Sequence, residues 1–270
     1  MRPAHMKVLA AILMAVPATI QPLAAQSAAE RIAADVRYLA DDRREGRGMG
    51  SAGLDSAAQY IAAAFAALRL KPGGGPDYFQ RFTIDPTAPA AAHAGVGGVA
   101  AKNVVAILPG TGDLSGQAVV IGAHYDHLGR GGFGSLDPDS TGVIHNGADD
   151  NASGTAGLLE IARLLGGRRA SAARTVVFVA FAAEELGVIG SAHYVKHAPH
   201  PIDSTCAMIN LDMVGRLRAG TLTAFGAASA REFPALLDSL AAAHRLTVKG
   251  SGDGYGPSDQ SSFFGADIPV

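Results

Sequence analysis

The chain has 270 residues, 48% of them apolar and 17% charged, enough for one large domain with a substantial buried core. Its 22 basic and 24 acidic residues nearly cancel, and no basic run or basic stretch interleaved with aromatics occurs, which argues against nucleic acid as a partner. The single cysteine, Cys206, excludes an internal disulfide. Its setting, Thr205-Cys206-Ala207-Met208-Ile209, reads as a buried structural thiol rather than a nucleophile.

Arg2 and Lys7 bracket the start of a short apolar run, Val8 to Val16, and Leu23-Ala24-Ala25 offers small residues near a cleavage point. This pattern predicts a signal peptide over residues 1–25 and export to the periplasm or beyond. The apolar run is far short of the roughly 20 residues that a spanning helix needs, so no stable membrane insertion is expected after cleavage.

Ser27 to Ala40 carries Ile32, Val36 and Leu39 at helical spacing. Leu54 to Leu70 does the same with Tyr60, Ile61, Phe65 and Leu68, until Lys71-Pro72-Gly73-Gly74-Gly75-Pro76 ends it. Tyr78 to Ile84 alternates as a strand does, and Thr87 to Ala101 reads as a loop of small residues. Asn103 to Leu108 and Ala118 to Ala123 read as buried strands. Then follow a helix over Asn151 to Leu165, a strand over Thr175 to Phe181 and a largely helical stretch over Glu185 to Lys196. A strand over Ala207 to Leu211 and a helix over Ala228 to His244 complete the pattern. The alternation predicts an α/β domain over residues 26–270, a three-layer sandwich whose central mixed, largely parallel sheet is covered by helices on both faces. In such sheets the ligand site lies beyond the carboxyl ends of the strands.

Four strand ends carry metal-binding groups. Ile121-Gly122-Ala123-His124-Tyr125-Asp126-His127 ends a strand in a histidine. If the backbone stays extended, Asp126 lies on the same face and can fix one imidazole nitrogen, leaving the other for a metal. Gly147-Ala148-Asp149-Asp150-Asn151-Ala152-Ser153-Gly154 opens a helix after a long Gly-rich loop from Gly129 to Gly147; its residues are also ordinary helix caps. Phe178-Val179-Ala180-Phe181-Ala182-Ala183-Glu184-Glu185-Leu186 delivers two glutamates whose side chains diverge, one suited to a metal and one to substrate. Met208-Ile209-Asn210-Leu211-Asp212-Met213-Val214-Gly215 ends another apolar strand in a carboxylate. Each group alone has a bland account as a cap or a turn. Together, one imidazole and several carboxylates on one sheet edge suit zinc, and a shared carboxylate suits two ions.

In this order the four blocks resemble the co-catalytic two-zinc aminopeptidases, the family that includes glutamate carboxypeptidase-like enzymes, from about Asp42-Arg43-Arg44-Glu45-Gly46-Arg47 onward. The resemblance implies a zinc-exopeptidase-like fold and two zinc ions. Asp150 is then the bridging carboxylate, followed by a cis peptide bond. His124 and Asp212 complete one zinc, and Glu185 binds the other. Glu184 is the general base that takes a proton from a zinc-bound water, and Asp126 orients His124. Tyr255, in Gly254-Tyr255-Gly256-Pro257-Ser258-Asp259, supplies a hydroxyl to the oxyanion. The implied activity is removal of N-terminal residues from peptide substrates. A glutaminyl-cyclase-like single-zinc transferase, a carboxypeptidase and an inactive binding homologue are the alternatives.

The family carries one further ligand, a histidine in a loop after the strand that begins near Ile268-Pro269-Val270, where this sequence stops. On the resemblance, the second zinc lacks that ligand and the catalytic domain lacks its C-terminal end. His127 and His145 flank the long loop and are not counted as ligands. His193, His197 and His200 read as solvated, and Gln260 stands where relatives often carry histidine after Ser-Asp. Nothing in the sequence sets the side-chain preference or the oligomeric state.

Overall fold

A computed structural model describes residues 26–140, 142–167 and 172–270. The expected leader, residues 1–25, lies outside the described residues. Seven α-helices are described: α1 (Ala28–Leu39), α2 (Ala52–Ala67), α3 (Pro89–His93), α4 (Gly154–Gly166), α5 (Ile189–Lys196), α6 (Phe233–His244) and α7 (Gln260–Phe264). Local chemistry sets the first two starts. Ser27 and Glu30 form a reciprocal capping box at α1, and the Ser51 hydroxyl accepts from the Leu54 amide at α2.

The main sheet has six strands: β1 (Lys71–Pro72), β2 (Phe79–Thr83), β3 (Ala100–Leu108), β4 (Ala118–His124), β5 (Thr175–Phe181) and β6 (Thr205–Asn210). Their order is β1-β3-β5-β4-β6, with β2 also paired to β3. Strands β5, β4 and β6 run parallel, whereas β3 is antiparallel to β5 and to both short strands. Successive strand residues face opposite sides. Val104, Ala106, Ile121 and Phe178 pack with Leu39, Ile61 and Leu158 of α1, α2 and α4. Val105, Val120, Val177 and Phe181 turn the other way, onto Tyr194 of α5 and Phe263 of α7. The three expected layers are present, and the carboxyl ends of β4, β5 and β6 lie along one edge.

Several elements differ from the sequence reading. Thr87 to Ala101 is not wholly a loop: Pro89 starts the short helix α3, and Ala100 already belongs to β3. Helices α4, α5 and α6 begin at Gly154, Ile189 and Phe233, later than their apolar periodicity suggests. Before α4 the chain makes a wide turn, Ala148–Ser153, in which Asp150 and Asn151 leave the helical conformation. Before α5, the amides of Gly187 and Val188 donate to the Glu184 carbonyl in a tight turn. A second sheet pairs β7 (Thr221–Phe225) and β8 (Thr247–Ser251) in parallel across α6. Cys206 is exposed, not buried, and its thiol contacts Gln117 Oε1 at 3.3 Å. Among the described residues β6 is an edge strand, and Ile209 on it is half exposed as well. His193 is half-buried, stacked between Phe82 and His197 at centroid distances of 4.8 and 4.2 Å. No helix among the described residues is long and apolar enough to cross a membrane.

One buried side chain ties the N-terminal region to the site edge. Arg47 is fully buried, and its guanidinium donates to the carbonyls of Leu39, Tyr125, Asn146 and Gly147 at 2.6 to 2.8 Å. Burial pulls its pKa down to about 10, against the carboxylates of Asp126, Asp150 and Glu185. Arg47→Met keeps the bulk but strands four carbonyls. It is expected to lower unfolding stability by on the order of 3 kcal/mol in denaturant titration. A loss well below ~1 kcal/mol contradicts this role.

Candidate metal centre

His124 is the last residue of β4, and its ring is buried. Its Nδ1 lies 3.2 Å from the main-chain carbonyl of Asp126. A carbonyl only accepts, so Nδ1 carries a proton and Nε2 is the nitrogen whose lone pair a metal would take. The tautomer is therefore held as expected, but by the backbone of Asp126. The Asp126 carboxylate is 3.8 Å away and accepts instead from the amides of Glu184 and Glu185 at 3.2 and 3.4 Å. This corrects the sequence reading. Strand β4 ends at His124, and beyond it the side chain of Asp126 reaches the amides after β5 rather than the ring.

His124 Nε2 faces Asp150 Oδ1 at 3.3 Å, Asp212 Oδ1 at 3.4 Å and Glu184 Oε2 at 3.9 Å. Yet His124 Nε2 and Asp212 Oδ1 are both buried without a hydrogen-bond partner. Donors bound at about 2.0–2.1 Å to one tetrahedral zinc sit roughly 3.3 Å apart, so these spacings are those of a ligand shell. His124, Glu184 and Asp212 form one group with ligand atoms within 4.8 Å of one another, and His124, Asp150 and Glu185 form a second. The four expected metal residues and Glu184 are thus brought together.

The turn bearing Asp150 is locked to the loop bearing Asp212. Asn151 donates to the Leu211 carbonyl at 2.9 Å and accepts from the amides of Gly154 and Met213 at 2.9 and 3.2 Å. The Ser153 hydroxyl accepts from Val214 N, and Asp149 accepts from Gly215 N. The Asp150–Asn151 peptide bond is cis, as the resemblance implies. Gly154 has no room for a side chain here, since a Cβ would stand 2.2 Å from the Leu211 carbonyl oxygen.

Three residues depart from the sequence expectation. His127 joins the cluster: its Nδ1 lies 2.6 Å from Glu185 Oε1 and 3.8 Å from Asp150 Oδ1. Its signal in the sequence was its place beside the long loop, three residues after His124, where it was not counted as a ligand. Asp259, at the start of α7, is fully buried with both carboxylate oxygens unpartnered, and was not singled out. Tyr255 is 64% exposed with its ring edge-on to Phe264 at 4.8 Å, and its hydroxyl bonds to no cluster side chain among the described residues. Gln260 turns to Asn210 at 3.3 Å, next to the Asp212 loop.

The electrostatics reflect crowded acids. Burial first, then the charges of Asp259, Asp126 and Asp212, push Glu184 up to about 9. Burial raises Asp126 to about 6 and Asp259 to about 7, with His124 opposing in both cases. Burial opposes charging of His124, but Asp150 and Asp212 outweigh it and raise its pKa well above the usual range. Asp150 moves down, since His124, His127 and Arg47 overcome its burial.

The family model described as Peptidase family M28 matches residues 103–270. Aminopeptidase YwaD of Bacillus subtilis (strain 168) is 35% identical over 115 residues, which are 42% of this chain and 22% of that protein. The chain spans less than half the length of the curated relatives it matches. Among solved structures, BSAP, a zinc aminopeptidase from Bacillus subtilis, aligns with a TM-score of 0.68 at 18% identity over 90% of this chain and 83% of its own. Porphyromonas gingivalis glutaminyl cyclase aligns with a TM-score of 0.69 at 20% identity over 90% of this chain and 82% of its own. At these identities the two structures speak for the fold alone.

The raised acids set the sign of a pH dependence. Asp126, Asp259 and Glu184 keep protons in the folded protein at pH values where the unfolded chain has lost them. The folded state then binds more protons, so stability falls as pH rises. The windows run from the ordinary carboxylate pKa to about 6, 7 and 9 respectively. His124, raised, acts in the same direction; Asp150, lowered, acts only below the ordinary carboxylate range, outside these windows. The melting temperature of metal-free protein is expected to fall between about pH 5 and about pH 9, and zinc to restore it at the alkaline end. A metal-free protein that gains stability over that range refutes the assignment.

Proposed function

The chain belongs to peptidase family M28, and from that premise we propose that it is a zinc-dependent aminopeptidase that hydrolyses N-terminal residues from peptides. One observation carries the reading: the unpartnered His124 Nε2 and Asp212 Oδ1 meet Asp150 and Glu184 in a buried cluster at the strand ends. The similarity to a Bacillus aminopeptidase supports the choice of reaction.

In this reading His124, Asp150 and Asp212 would hold one zinc, and Asp150 and Glu185 would hold a second, with His127 fixing Glu185. Zinc there would supply Lewis-acid polarisation of the scissile carbonyl and lower the pKa of the attacking water. Glu184 Oε2 accepts the proton of the attacking water and returns it to the departing amine. Burial is the first cause of its high pKa, with Asp259, Asp126 and Asp212 adding to it; a cation held beside it would favour its charged form and so let Glu184 act as a base. Asp126 holds Glu184 and Glu185 in place by accepting from both of their amides. The exposed Tyr255 hydroxyl is the proposed donor to the oxyanion. The free amine of the substrate is drawn to the acidic cluster.

Glu184→Gln is expected to cut release of an aminoacyl anilide by about a hundred- to ten-thousand-fold, with bound zinc per chain nearly unchanged. Hydrolysis that survives this change sinks the mechanism. Pyroglutamate formation from N-terminal glutamine without anilide release favours the activity that the Porphyromonas neighbour's name describes, and overturns the aminopeptidase reading. His127→Ala is expected to weaken the second zinc by roughly 10–100-fold while sparing the first, as followed by metal titration with elemental analysis. Equal loss at both positions shows that His127 acts on the fold and not on Glu185.

A further inference from the structure

A cavity of about 500 Å³ opens on the Glu185 side of the cluster. Its inner wall is Asp126, His127 and Glu185, so it is continuous with the metal centre. Away from that wall the lining is mixed, with Met49, Val96, Leu128, Phe133 and Leu186 as its apolar part. Phe133 is held over His93 of α3 at a centroid distance of 5.3 Å. The cavity also includes Arg130, which is exposed and makes no ion pair among the described residues. The other acid in the lining, Glu45, is engaged by the Gly53 amide at 3.1 Å.

The two ends of this site differ in charge. Asp150 and Asp212 attract an ammonium, whereas Arg130 repels one and attracts a carboxylate. A short peptide that places its amine at the acids and enters the cavity can bring its other end to Arg130. We propose that the cavity receives the part of a short peptide that follows the scissile bond, with an apolar side chain on the Met49, Val96, Leu128, Phe133 and Leu186 surface and its terminal carboxylate on Arg130. The preferred substrates are then di- and tripeptides with a free carboxyl end and an apolar second residue. The volume fits this, since a drug-sized ligand occupies pockets of roughly 300–1,000 Å³. The proposal rests on the aminopeptidase reading for the direction of the peptide.

Binding can be read without turnover. Calorimetric titration of the zinc-loaded Glu184→Gln chain with leucyl-phenylalanine and with its C-terminal amide gives the contribution of the carboxylate. The amide is expected to bind about tenfold more weakly, the size of one charge-assisted contact. Arg130→Gln is expected to erase that difference, and Phe133→Ala to narrow the preference for leucyl-phenylalanine over leucyl-glycine. Equal affinities for acid and amide in the chain with Arg130 overturn the proposal. So does a Phe133→Ala effect that follows the first residue of the peptide and not the second. If the acid binds more tightly through Arg130 while the chain with Glu184 intact cleaves neither peptide, the cavity assignment stands and the aminopeptidase reading falls.

Discussion

The repulsion among acids gathered round one buried imidazole is the constraint that organises this molecule. Asp126, Asp150, Glu184, Glu185, Asp212 and Asp259 all lie in or against the cluster around His124, and several are buried. Arg47 lies buried beside them, but it gives its donors to carbonyls. Such a gathering persists only where the backbone holds it. The three parallel strands supply the common edge, the Asn151 and Ser153 bonds clamp the Asp150 turn to the Asp212 loop, and Asp126 accepts from the amides of the paired glutamates. The fold thus spends local stability on a place that a divalent cation would relieve.

Much of this was legible in the sequence, for a physical reason. Strands β4 and β5 are buried on both faces, so they read as unbroken apolar runs, and the polar residue that ends each run marks the sheet edge. His124, the Glu184–Glu185 pair and Asp212 were found in that way, and Asp150 through the motif that follows the long loop. What failed is what depends on chain direction beyond the strand. Extended geometry past His124 would have placed the Asp126 carboxylate on the ring and His127 away from it. Beyond the end of β4 the observed contacts reverse both. Asp259 gave no sign, because a lone acid at the start of a short helix looks like any cap. Cys206 and the β7–β8 pair failed for another reason. Both lie where the helix layers cover the sheet edge poorly or not at all, and apolar pattern there no longer tracks burial.

Chemistry and selectivity are carried by different parts of the chain, yet one side chain supports both. Arg47 bonds to the carbonyl of Tyr125 at one end of the loop after β4, and to those of Asn146 and Gly147 at the other. The guanidinium therefore closes the loop at its base, directly beside the turn that presents Asp150. Between these anchors run Leu128, Arg130 and Phe133, which line the cavity, and the run is rich in glycines with positive φ at Gly129, Gly131, Gly132 and Gly134. Glycine there permits conformations that other residues resist, so the loop can change its course without strain reaching its base. Substitutions between residues 130 and 134 can then alter what the cavity accepts while Asp150 and His124 stay where the strands and Arg47 put them. Separating a fixed base from a variable tip lets one rigid cluster serve different peptides.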